Sequence, residues 1–318
     1  MGAMNGRFRT SGYALLLCAA ALTAAGCSPG FSSSPVALPD ARGAGVAAGG
    51  SWMSAGAKGS SLLYVSDLGT NAINIYTYPG GALTGKLTGF GSVAGLCSDK
   101  AGDVFVVDEA GPVQMFAHGG TSPLRKLDAT GAPYGCAVDP LSGNLALTNL
   151  SSYSNGAINI YPKAKGEPKK YTDTTIDSTY FCGYDNNGNL YVDGWNRSAE
   201  LIFIELHKGA GGFRISKLQA KTNTPGGVQF DGKYVAVGVK GTGLVYRVNG
   251  PSGKVAQTIT LKKGTDVQQF WIAGATLVGP NEENGGTVGY WPYPAGGNPS
   301  KTISGLTEPF GATVSVAK

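Results

Sequence analysis

The chain is short of the residues on which most enzymes depend. Only two histidines occur among 318 residues, His118 and His207, each beside Gly or Lys in a loop-like stretch. A zinc centre or a Ser/His/Asp triad needs a positioned imidazole, so neither class has its usual footing and both histidines read as exposed turn residues. No glycine-rich phosphate loop of the P-loop type occurs either. Charge is scarce, at 14% of residues, and the net balance is only +5. The densest basic stretch, Lys163, Lys165, Lys169 and Lys170, is broken by Glu167 and Pro168. It reads as a solvated loop rather than a polyanion site, and no nucleic-acid partner is expected. The apolar run Tyr13 to Ala25 is too short to span a bilayer as a helix.

What the chain does hold is glycine, 51 residues of it, alongside 42% hydrophobic residues. That composition is globular and rich in turns. The first 26 residues stand apart: Arg7 and Arg9 open a basic segment, the apolar run follows, and Ala24-Ala25-Gly26 precedes Cys27. This pattern fits a cleaved export signal, and the small residues before the cysteine resemble a bacterial lipobox, which implies a lipid on Cys27. The alternative is plain secretion with cleavage nearby. From 27 to 60 the chain turns to Ser, Gly, Ala and Pro. Such a tether spans on the order of 30 Å, enough to hold a folded part clear of a membrane. The expected location is therefore the bacterial cell envelope, outside the cytoplasm.

Residues 61–318 are periodic. A short hydrophobic strand closes six times on a polar or turn residue, at Asp67, Asp108, Asn149, Gly194, Gly238 and Pro280. A second, alternating strand follows each one, as in Ile73-Asn74-Ile75-Tyr76 and Ile158-Asn159-Ile160-Tyr161. A third strand, the expected innermost one, completes each unit: Val93 to Asp99, Tyr134 to Asp139, Tyr180 to Asp185, Gly226 to Asp231, Val267 to Ala273 and Phe310 to Val316. In four of the six its final Asp leads into a Gly-containing turn. Strand units repeating at this interval predict an all-β, six-bladed β-propeller. The chain starts on the second strand of a unit and ends on a first strand. Pairing Leu62 to Ser66 with Phe310 to Val316 closes the ring and removes two sheet edges.

Units such as Gly188-Asn189-Leu190-Tyr191-Val192-Asp193 and Pro225-Gly226-Gly227-Val228-Gln229-Phe230-Asp231 resemble NHL-type repeats and the wider six-bladed group. That resemblance covers about four fifths of the chain and implies a fold more than a function, since the group holds lactonases, lyases and binding modules. Its gluconolactonase-like members imply calcium at the channel mouth, held by Glu, Asn and Asp. The matching oxygens here are Asp67, Asp108, Glu109, Asn149, Asn281, Glu282 and Glu308, although Gly194 and Gly238 leave gaps and the surrounding stretches lack that family's motifs. Capping of turns is the competing role for these side chains.

The same mouth is expected to carry Tyr134, Tyr180 and Trp195, with Gln268 and Gln269 nearby. Flat apolar faces with polar rims suit sugars or peptides, so Tyr134, Tyr180, Trp195, Gln269 and Glu308 form the candidate ligand site. The alternative is that these rings only fill gaps between blades. The reading that follows is a lipid-anchored module binding a protein, glycan or small molecule, without catalytic residues or a cofactor; a calcium-dependent lactonase-like hydrolase is the alternative. Of the five cysteines, Cys97, Cys136 and Cys182 fall in consecutive inner strands. By alternation Cys97 faces opposite to the other two, so Cys97 with Cys136 is the one adjacent pair able to bond, with three buried thiols as the alternative.

Overall fold

A computed structural model describes residues 50–150, 156–218, 224–283 and 285–318. The leader, Cys27 and most of the tether lie outside them. The described chain forms six antiparallel sheets set around one axis. Blade 1 takes its inner strand, Pro309–Ser315, from the end of the chain, and its next three, Leu62–Asp67, Ala72–Thr77 and Leu83–Leu87, from the start. The seam pairs Leu62 with Ser315, Tyr64 with Thr313 and Asp67 with Pro309. This is the closure read from the offset of the first and last repeats. Trp52–Met53 adds a fifth strand at the outer edge of blade 1, opposite Gly85 and Lys86, so the first sheet reaches back into the stretch read as tether.

The inner strands of blades 2 to 6 are Val93–Ser98, Pro133–Val138, Ile176–Tyr184, Pro225–Phe230 and Trp271–Ala273. The last is shorter than the expected Val267 to Ala273. Gly227 N–H donates to Gln268 O, and Gln269 N–H to Phe310 O, so Gln268 and Gln269 bond to the blades on either side, and only Val267 keeps a bridge to its own blade. Register also moves the closing residue of the last two units by one place. Val239 faces Pro225, and Asn281 bridges to Val267, where the sequence pattern suggested Gly238 and Pro280.

The core lies between neighbouring sheets, so a single strand feeds two interfaces. In Leu62-Leu63-Tyr64-Val65, Leu62 and Tyr64 pack towards blade 2 and Leu63 and Val65 towards blade 6, all fully buried. Burial on both faces is why strands such as Leu62–Asp67 read as continuous apolar runs and strands such as Ala72–Thr77 alternate only loosely. The disulfide Cys97–Cys136 joins the inner strands of blades 2 and 3, with Cα atoms 5.7 Å apart, and Cys182 is a buried free thiol. Among the described residues no helix is long and apolar enough to cross a membrane.

Candidate functional site

Five blades carry the same bulge at the same place. Val93 faces Asp108 while Leu96 faces Val106, and the pairing slips equally in the strands beginning at Pro133, Ile176, Pro225 and Pro309. One extra inner-strand residue is thereby turned towards the next blade. Gly95, Gly135, Gly227 and Gly311 occupy that place; a Cβ on Gly135 would come within 2.5 Å of Tyr180 O. In blade 4 Phe181 stands there instead and sends a ring into the channel.

Two rows of side chains hold these bulges. In blades 1, 3 and 4 the residue before the closing position is Ser66, Thr148 and Asp193 in turn, and each links its own bulge to the next blade. Gly311 N–H donates to Ser66 Oγ, which donates to Ala94 O; Gly135 N–H donates to Thr148 Oγ1, which donates to Tyr180 O. Asp193 accepts from Phe181 N–H and Gly226 N–H, both at 2.8–2.9 Å. Burial pushes the Asp193 carboxyl well above its ordinary value, and the backbone donors pull it back down. The closing residues themselves fasten the loops that lead into the inner strands. Asp67 accepts from Thr307 and Glu308 N–H, Asp108 from Gly91 and Ser92 N–H, Asn149 from Ala132 N–H, and Asn281 from Asp266 N–H. Four of the seven residues matched to a calcium ring, Asp67, Asp108, Asn149 and Asn281, are thus turned onto their own loops. Among the described residues no three His, Cys, Asp or Glu side chains are grouped to hold a metal.

Inward of these loops, rings from three inner strands meet. Tyr134 stands edge-on to Phe310 at 5.1 Å between centroids and to Tyr180 at 5.3 Å, and lies 5.2 Å from Phe181. Tyr180 meets Trp195 at 5.2 Å. Phe310 belongs to blade 1 and the others to blades 3 and 4, so the cluster crosses the channel and closes it. Tyr134, Tyr180 and Trp195 are only half buried, which leaves ring surface facing the mouth.

A polar chain continues from the rings. Tyr134 Oη donates to Gln268 Oε1 at 3.3 Å, and Gln268 Nε2 donates to Glu282 at 3.4 Å. Lys240 lies between Glu282, at 3.4 Å, and Asp266, at 3.7 Å. Burial raises the Asp266 carboxyl, Lys240 opposes that rise and Glu282 adds to it. Glu109 is raised by burial and by Asp108. Burial, then Glu109, pushes the Tyr134 phenol far above its usual range, so it donates a hydrogen bond at neutral pH rather than acting as a base. The set is equipped to stack on a ligand and orient it.

Of the expected site residues, the structure brings Tyr134, Tyr180 and Trp195 together. Gln269 is drawn into the frame: its Oε1 accepts Leu96 N–H, its Nε2 donates to Leu96 O, and it passes over Gly311, whose missing Cβ leaves room. Glu308 is half buried, its backbone clasped by Asp67 and by Leu68 N–H. Lys240 and Asp266 escaped the sequence reading. The residue after each closing position lines this mouth, giving Glu109, Trp195, Lys240 and Glu282; reading the fifth unit one place early hid Lys240. His118 is a clasp rather than an exposed turn residue, contacting Ser315 Oγ at 2.6 Å and Ser60 O at 3.1 Å beside the seam.

No family model matches the chain, and no curated protein matches it. Solved structures do: 1178 chains match, so the fold alone cannot select a function. One belongs to the crystal structure of a nidogen/laminin complex, with a TM-score of 0.67 and 17% identity over 81% of this chain and the whole of that one. What the two chains share is the propeller fold.

Proposed function

We propose that this chain is an exported binding module, an NHL-type propeller tethered to a bacterial envelope membrane through a lipid on Cys27. It takes a glycan or peptide ligand at the mouth formed by Tyr134, Tyr180 and Trp195. The observation that carries this reading is the continuity of that mouth: half-buried rings pass directly into the Gln268, Glu282, Lys240 and Asp266 chain. Rings supply a stacking face and the amide and ion pair supply orientation. The engagement of Asp67, Asp108, Asn149 and Asn281 by their own loops favours binding over a calcium-dependent hydrolase.

Glycan and peptide arrays probed with the wild-type chain and with Trp195→Ala test the reading. Loss of about tenfold in affinity is expected, since an aromatic contact contributes about 0.5–1.5 kcal/mol beyond its buried area and about 1.4 kcal/mol is a factor of ten. Equal binding by the variant would sink it. Tight calcium binding, lost in Asn149 or Glu308 variants, would overturn this reading in favour of the hydrolase. Metabolic labelling with a fatty acid, abolished by Cys27→Ser, is the expected outcome for the anchor.

A further inference from the structure

The opposite mouth of the channel is built on another plan. In blades 3 and 4 the rings of the first mouth are followed by small side chains, Gly135-Cys136-Ala137 and Cys182-Gly183, before Val138 and Tyr184 end the strands. Rings fill the first half. Beyond them a half-enclosed cavity of about 300 Å³ is left. That volume lies at the lower end for small-molecule sites, roughly 300–1,000 Å³. One wall holds the Cys97–Cys136 disulfide of blades 2 and 3; blades 5 and 6, across the ring, supply Val228, Phe230, Phe270 and Trp271.

Apart from the Tyr184 hydroxyl, which is buried without a hydrogen-bond partner among the described residues, the polar side chains of Ser98, Asp99, Lys100, Asp139, Gln229 and Gln269 along this cavity are already engaged. Gln229 exchanges two hydrogen bonds with the backbone of Ile272, Gln269 does the same with Leu96, and Ser98 Oγ donates to Val314 O. Asp99 and Asp139 cap the turns that follow their strands, and Lys100 Nζ donates to Pro140 O. An ion entering this space would exchange its hydration for apolar walls and occupied partners, which is costly; an apolar molecule would release ordered water at no such cost. Leu141, 65% exposed beside Pro140, extends the apolar surface at the lip.

We propose that this cavity binds a small, uncharged, mostly apolar molecule of one or two rings, at a site separate from the aromatic mouth. Ligand-observed NMR on the full chain, with toluene, p-cresol and indole as neutral probes and benzoate and benzylamine as charged counterparts, tests it. Saturable binding of the neutral probes, at least tenfold tighter than of the charged ones, is expected. Ala101→Trp and Val138→Trp, which fill the cavity from its lip, should weaken that binding at least tenfold, whereas Trp195→Ala at the other mouth should leave it unchanged. The proposal fails if neutral probes do not saturate, if charged probes bind equally well, or if the filled variants bind as the wild type does. It also fails if Trp195→Ala abolishes binding, which would place the probes among the first mouth's rings. Should the filled variants not fold, xenon-pressurised crystals of the wild type decide: xenon in the cavity supports the site and its absence there overturns it.

Discussion

At the scale of single residues, the most informative comparison is between Ser66, Thr148 and Asp193, which hold equivalent places in blades 1, 3 and 4. The hydroxyls accept from their own bulge and donate to a carbonyl next door. In blade 4 the neighbour offers Gly226 N–H, so the side chain must accept on both sides, and a carboxylate does that without a hydrogen of its own to place. Asp193→Asn would turn an N–H₂ group onto an N–H, and Asp193→Thr would leave its hydroxyl hydrogen without the carbonyl its counterparts find. Each is expected to destabilise by about 1–3 kcal/mol, read from denaturant midpoints; an unchanged midpoint would refute the account.

Asp231 gives a pH dependence of known sign. Burial alone would raise its carboxyl, but Arg247, Tyr293 Oη and the Tyr234 and Lys233 N–H groups outweigh burial and hold it below its ordinary value. A carboxyl depressed in the folded state stabilises the fold above its unfolded pKa of about 3.9, and that stabilisation is lost as pH falls through the folded value. Asp231→Asn should therefore cost about 1.5–3 kcal/mol at pH 7, with the gap to wild type narrowing below about pH 4. A gap that widens in acid would contradict the assignment.

At the scale of elements, the repeated bulge explains which parts of the inner strands were legible. Strand positions followed from apolar runs and Asp-Gly turns, and the facing of the cysteines followed from alternation, because Cys97 and Cys136 both lie beyond the bulge of their strands. Cys97 pairs with Phe105, and Cys136 with Leu147, which puts the two sulfurs in the same gap. Cys182 shares the register of Cys136, pairing with Val192, and so faces away from it. The bond closes 39 residues, and the chain-entropy estimate for such a loop is about 4 kcal/mol. Cys97→Ser with Cys136→Ser should lower stability by about 2–4 kcal/mol, and reductant should do the same to the wild type but nothing to the double variant. The sixth inner strand was less legible: Val267 to Ala273 reads as one strand, but the backbone of Gln268 and Gln269 is claimed by blades 5 and 1.

At the scale of the whole molecule, the ring depends on its last strand. Pro309–Ser315 completes the first sheet, and its Phe310 stands at the centre of the channel rings. Truncation after Leu306 should leave the Leu62–Asp67 edge unpaired and give aggregated or non-cooperatively melting protein, whereas removal of residues 316–318 should change little. Size-exclusion chromatography and circular dichroism melts distinguish the outcomes. A monomeric truncated chain with the wild-type melting temperature would show that closure is dispensable.

By itself the sequence determined the blade count, the order of strands within a blade and the seam, because these rest on local periodicity and on the offset between the two ends of the chain. It also placed Tyr134, Tyr180 and Trp195 at one mouth, since strand direction alone fixes which end of each inner strand opens there. Only the tertiary structure decided what the polar residues do. Whether Gln269 meets a ligand or the Leu96 backbone, and whether Asp67 and Asn149 look into the channel or back at their own loops, depends on which unpaired N–H and C=O groups a neighbouring blade leaves within hydrogen-bonding reach. Periodicity within one blade carries no record of that.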